Sequence, residues 1–343
     1  MAGYGRNYNS YRGRTPKWKI LLSFVLVLVI AASVGFLFLQ RYIVYDETGT
    51  PHFLLPGGGD TPPVEQVQPP QAGLVVEEAE TPEREATVLY LAAQPVHTTE
   101  QAQALLDAAR SRTGPAVTVK GDIGRVYFSS PTAISSGVEE GTEEALALLL
   151  DQTDHAAARL VCFADPKAAN SDVENLGLKN TGGYIFYDGT NRQWLDPAKP
   201  AARAYLTALA VECAEKGFGE VILSAVSYPT EGKLHKIAYG DTPQDENLAA
   251  FLQEVTAALE PYGTTVTVEL SADGILLGTD PGGLTVETAA KYAHRICAVT
   301  DAEQAENLAT IVGRYSETVE FVPMLQSLPF GYEGSAILME DSE

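Results

Sequence analysis

From Thr87 onward the chain alternates short apolar runs with longer amphipathic ones, and few folds accept that order. Strand-length apolar runs fall at residues 87–92, 116–119, 157–163, 220–225, 264–270, 295–299, 318–322 and 335–339. Helical periodicity fills the intervals at 99–111, 142–152, 199–216, 244–260, 285–293 and 301–315. Lys216-Gly217 stops one helix, and Glu260-Pro261-Tyr262-Gly263 stops another. Eight strands alternating with helices over about 250 residues predict an α/β fold, a (β/α)8 TIM-like barrel. A doubly wound open sheet is the alternative that pattern alone leaves open. The one long irregular excursion spans 164–197 and carries Tyr184, Phe186, Tyr187 and Trp194. In a barrel it lies at the C-terminal face of the strands, where sites are built; its aromatics suit sugar stacking or a satellite cluster that packs the loop down.

The N-terminal quarter reads differently. Residues 20–39 hold no charge, and twenty residues at 1.5 Å each cover roughly 30 Å, the thickness of a bilayer core. Trp18 and Tyr42 occupy interfacial positions, and the first 19 residues contain five basic residues and no acid. The positive-inside rule then predicts a single-pass protein of the cell membrane, with a cytoplasmic tail (1–19), a transmembrane helix (20–40) in contact with lipid, and an extracytoplasmic remainder. A cleaved signal peptide ending near Ala31-Ala32-Ser33 is the competing reading, but the apolar run extends well past it. Residues 41–86, rich in Pro and Gly, predict a disordered linker, and 87–340 the barrel domain. Beyond the tail, 18 basic residues face all 45 acids, a net charge of −27 that excludes nucleic acid as a partner.

Generic catalytic signatures are missing: no G-x-S-x-G elbow, phosphate loop or H-E-x-x-H is present. The five histidines are scattered, and Cys162, Cys213 and Cys297 follow no ligand spacing, so neither metal nor cofactor is expected; the cysteines read as small buried hydrophobes. Residues 278–283 (GTDPGG) read as a turn. What remains are carboxylates at expected strand ends: Asp122, Asp165 and Glu269, with Asp273 just beyond. Two carboxyls in one cleft are what glycoside hydrolysis requires, one holding a proton for the leaving oxygen and one attacking or activating water. Asp also collects in such loops as a turn former and helix cap.

The order of several motifs resembles a bacterial, largely uncharacterised family of glycoside hydrolases with a TIM-barrel domain. The likeness runs through LYLAAQPVHT (89–98), VKGDIG (119–124), ARLVCFAD (158–165), WLDP (194–197), Gly217-Phe218 and VPMLQ (322–326). The resemblance implies a carbohydrate ligand, catalytic roles among Asp122, Asp165 and Glu269, and substrate contacts from Lys120, Arg159, Trp194, Asp196 and Tyr228. One segment departs from it. Where the family reads D-E-I-Q-F-D-Y-V-R-F-P, this chain reads GEVILSAVSYP (219–229), so Ser224 stands at the strand-end Asp and Ser227 at the Arg, while Glu220, Tyr228 and Pro229 are kept. A serine cannot serve in either carboxylate role, although Glu269 offers a substitute on the next strand. Three expectations follow: a membrane-anchored glycan binder with weak or lost hydrolysis, an active glycosidase with a rearranged carboxylate pair, or a non-catalytic interaction protein of the envelope.

Overall fold

A computed structural model describes residues 43–45, 51–53, 86–110 and 112–340. The chain divides into two units, the first ending at Glu77. In the first, strand β1 (Ile43–Tyr45) pairs antiparallel with β2 (Pro51–Phe53), Ile43 opposite Phe53. The expected linker at 41–86 lies largely outside the described residues; in the part described, the β-branched and aromatic run Ile43-Val44-Tyr45 has the propensity to pair. The expected spanning segment at 20–40 lies outside the described residues. Among the described residues no helix is long and apolar enough to cross a membrane.

The second unit is a closed barrel of eight parallel strands: β3 (Val88–Leu91), β4 (Gly114–Lys120), β5 (Ala157–Val161), β6 (Glu220–Ser224), β7 (Thr265–Glu269), β8 (Arg295–Val299), β9 (Glu320–Leu325) and β10 (Ala336–Met339), with β10 closing onto β3. All eight expected strands are present and the open-sheet alternative is excluded. Helices 99–109, 142–151, 200–216, 244–259, 286–292 and 302–313 lie between strands as expected. Their starts are chemically marked: Thr98 forms a reciprocal capping box with Gln101, Asp301 caps Gln304, and Thr285 caps Thr288. Two short helices, Pro166–Ser171 and Ala272–Leu277, were not expected; each is too short to show a period and is set by its cap, Asp165 and Ser271. Residues 278–283 do form the expected turn, with Gly283 N–H donating to the Asp280 carbonyl. Nor is 164–197 the one long excursion, since residues 121–141 and 225–243 also cross the C-terminal face with only a short 3-10 turn between them.

Alternate residues of each strand share a face, so a closed sheet turns one set outward and one into the lumen. The outward set packs on the helices as the main core. The inward set is layered. Leu89, Ala157, Ile222, Cys297, Val322 and Ile337 belong to a separate apolar cluster that fills the middle. Two residues earlier on β6, β8 and β9 stand Glu220, Arg295 and Glu320, which form a charged floor. Arg295 donates from Nη1 to Glu220 Oε2, from Nε to Glu320 Oε2 and from Nη2 to Thr87 Oγ1, each at 2.9 Å. Glu220 also accepts from Thr267 Oγ1 and lies 3.2 Å from His155 Nε2. Two residues after the plug come Arg159, Ser224 and Val299, at the mouth. Cys162, Cys213 and Cys297 are buried and unpaired, and burial pushes the Cys162 thiol up to about 12.

Burial alone would raise the Glu220 carboxyl, but the His155 hydrogen bond, the Arg295 charge and Thr267 outweigh it and hold it below its ordinary 4.5. A lowered folded value adds stability above the unfolded value, and this is lost as pH falls through the folded one. Thermal midpoints measured against pH are therefore expected to fall below about pH 4.5, with a flatter acid limb in Glu220→Gln. Arg295→Met, which takes the cation from buried Glu220 and part-exposed Glu320, is expected to cost about 3 kcal/mol in denaturant unfolding.

Candidate functional site at the barrel mouth

Three neighbouring strands place the mouth. Arg159 on β5 points inward two positions after Ala157, and its Nε and Nη2 donate to Glu269 Oε2 at 3.0 and 2.9 Å. Nη2 also donates to Ser224 Oγ at 2.9 Å. Arg159 and Glu269 keep about a fifth of their side-chain surface, 23% and 19%. The strand end beyond Ser224 is strained: Ala225 has φ +50°, a left-handed conformation uncommon for a residue with a Cβ. Its carbonyl accepts from Phe163 N–H at 3.1 Å, which ties the kink to the adjacent β5 end. Ala225 lines two adjoining cavities. One, of about 410 Å³, holds Asp122, Tyr127, Arg159, Arg192, Trp194 and Ser224. The other, of about 350 Å³, holds Ser227, Glu269, Ser271 and Asp280.

The expected site residues separate into two groups. Asp122 lies half-exposed on the loop after β4 and pairs with Arg192 Nη1 at 3.0 Å. Asp122, Arg159, Trp194 and Glu269 are thus all at the mouth. Lys120 and Asp165 are fully buried beneath it, with Nζ 3.0 Å from Oδ2. Lys120 Nζ also donates to the Val161 and Cys162 carbonyls, and Asp165 Oδ1 caps Ala168 N–H at 2.8 Å. Gly124 closes over them: at φ +78° any Cβ would meet Asp165 Oδ1 at 2.0 Å. VKGDIG and ARLVCFAD are therefore joined by one buried ion pair, which explains their residues without a ligand. Asp196 and Tyr228 are buried too, outside both cavities. Asp196 caps Ala198 N–H, and burial pushes its carboxyl up against the opposing pull of that N–H, Lys199 and Arg203. Tyr228 OH accepts from Asn247 Nδ2 at 3.0 Å, and burial raises its phenol.

The aromatic loop divides evenly. Phe186 and Trp194 are buried, whereas Tyr184 and Tyr187 are 76% and 49% exposed. Asp188 organises the turn between them: Oδ1 accepts from the N–H groups of Thr190 and Arg192 at 2.8 and 2.9 Å, and Oδ2 from Trp194 Nε1 at 2.8 Å. These hydrogen bonds outweigh its burial and hold its carboxyl low. Arg192, missed in the sequence, is presented by this turn. Its only mark was to be the sole basic residue between Tyr184 and Asp196. Chemically the mouth offers fixed guanidinium, hydroxyl and carboxylate groups beside aromatic rings, a set suited to sugar hydroxyls.

If Asp165 is structural, Asp165→Ala should lower stability by about 3–5 kcal/mol, because Lys120 is left charged and buried. Ala225→Gly should raise stability by about 1 kcal/mol by relieving the left-handed strain. Denaturant titration measures both.

Against known proteins, residues 88–297 match the family model described as "Putative glycosyl hydrolase domain". No curated protein matches the chain. A hypothetical protein from Ruminiclostridium thermocellum is 28% identical over 52% of this chain and 96% of its own, with a TM-score of 0.45. The glycoside hydrolase domain of PgaB from Bordetella bronchiseptica shares the fold at 10% identity, covering 74% of this chain and 94% of its own, with a TM-score of 0.54. A cycloisomaltooligosaccharide glucanotransferase from Paenibacillus aligns at 12% identity and a TM-score of 0.50, over 70% of this chain and 38% of its own.

Proposed function

We propose that this chain, which belongs to that glycosyl hydrolase domain family, binds a carbohydrate of the cell envelope or its surroundings at the barrel mouth and hydrolyses it weakly or not at all. One observation carries the reading. Each candidate carboxylate contacts a cation: Asp122 with Arg192, Asp165 with Lys120, Glu269 with Arg159. A glycosidase needs one carboxyl that keeps its proton, and apolar burial or a second carboxylate provides that setting. Here each carboxylate faces a basic side chain rather than apolar surface or a second acid. Asp165 is also sealed from any substrate, and Ser224 stands at the strand end where the family resemblance expects an acid. The exposed Tyr184 and Tyr187, on the loop that presents Trp194, add faces on which sugar rings can stack.

Purified chain on a glycan array is expected to bind at least one oligosaccharide without releasing reducing sugar. Tyr184→Ala with Tyr187→Ala should weaken that binding about tenfold, with the fold unchanged. Reducing-sugar release that disappears in Glu269→Gln would instead establish an active enzyme with a rearranged pair.

The reading includes a place. Residues 20–39 anchor the protein in the cell membrane, with residues 1–19 in the cytoplasm and the barrel outside, supported by the length and flanking charge of that run. In fractionated cells the protein is expected to resist alkaline carbonate extraction and to become soluble when residues 20–39 are deleted. Release of the intact chain by carbonate would overturn the anchor.

A further inference from the structure

The larger mouth cavity gathers two cations in a strongly acidic protein. The chain carries −22, yet the cavity's charged lining residues are Arg159, Arg192 and one acid, Asp122. Glu269, although bonded to Arg159, lines the neighbouring cavity. Screening limits the reach of exposed charges to about 8 Å at physiological salt, so a ligand meets the two guanidiniums together with their acids Asp122 and Glu269, a balanced group within an acidic protein.

Arg159 spends Nε and Nη2 on Glu269 and Ser224, and Arg192 spends Nη1 on Asp122. Among the described residues, Nη1 of Arg159 and the Nε and Nη2 edge of Arg192 have no protein acceptor. The open edge of Arg192 is a planar pair of N–H groups, the geometry that matches a carboxylate. The backbone from which it projects is fixed, because the main-chain N–H of Arg192 is bonded to Asp188. Its partner Asp122 is half-exposed, so their pair contributes little to stability and leaves room for a second anion beside it. Tyr127 and Trp194 supply ring surface in the same cavity.

We propose that the mouth selects anionic glycans of the uronic-acid type, with a sugar carboxylate seated on the open guanidinium edge of Arg192. This rests on the glycan-binding reading above and specifies its ligand class. Neutral sugars lack the group that fills this edge, and amino sugars bring a charge the two guanidiniums repel.

The test pairs charged probes with uncharged twins: oligogalacturonate, hyaluronan and alginate oligosaccharides, each beside its carboxyl-reduced form, titrated calorimetrically into the full-length chain. At least one uronate is expected to bind about tenfold more tightly than its reduced twin, an advantage that shrinks as salt is raised. Arg192→Gln should remove that advantage, so that the two twins bind alike, and keep the thermal midpoint. Asp122→Asn, which withdraws the competing acid, should tighten uronate binding. Equal affinity for the twins, binding of reduced forms alone, or an unaffected advantage in Arg192→Gln overturns the charge selection but leaves the glycan reading in place. If neither these probes nor any glycan on the array binds, both fall.

Discussion

Closing eight parallel strands into a barrel sends every second residue of each strand into one narrow lumen, and the rest of the molecule follows from how that lumen is filled. Along β6 the inward positions are Glu220, Ile222 and Ser224; along β8 they are Arg295, Cys297 and Val299. A charged floor, an apolar plug and a polar mouth are thus stacked within five residues of strand. Arg295 is affordable at the floor only because Glu220, Glu320 and Thr87 accept its hydrogen bonds. The plug then isolates the floor from the mouth, so charges at the two ends can be chosen independently.

This layering also explains what was legible in the sequence. Strand–helix alternation depends on residues that face the outer helices, and those must be apolar with a regular period, so all eight strands were readable. The paired strands 43–45 and 51–53 and the two short helices carry too few residues to display a period. The candidate site was half legible. Asp122, Arg159, Trp194 and Glu269 do come to the mouth, because strand-end positions in a barrel converge. Lys120, Asp165, Asp196 and Tyr228 are buried. Lys120, Asp165 and Asp196 share their motifs with Asp122, Arg159 and Trp194, and only the third dimension separates a residue that caps a loop from below from one that faces the opening. Arg192 was illegible for the opposite reason: it lies deep in a loop, and Asp188 rather than any strand brings it to the cavity.

The buried Lys120–Asp165 pair shows why motif order alone overstates catalysis. Lys120 and Asp165, 45 residues apart, must bring opposite charges together in a dry site, and Gly124 must be present to leave space for them. Removing any one of the three leaves either an unpaired buried charge or a steric clash, so such a set persists whether or not the barrel cleaves anything. The residues that distinguish a working glycosidase from a binding protein are the ones facing the opening, and there the chain has Ser224.

Ser224 does more than leave a carboxylate out. Its hydroxyl accepts from the same Arg159 Nη2 that holds Glu269, so guanidinium, serine and glutamate form one unit across β5, β6 and β7. An aspartate at this position would compete with Glu269 for Arg159 and bring a second negative charge beside it, the kind of proximity that forces one of two carboxyls to keep a proton. With serine, Glu269 is, among the described residues, the one carboxylate bonded to Arg159. The backbone strain at Ala225 still marks the strand end as a place where geometry outranks stability. The mouth thus joins a shaped backbone to a fixed set of hydrogen-bonding groups, with Ser224 rather than a second carboxylate beside Arg159 and Glu269.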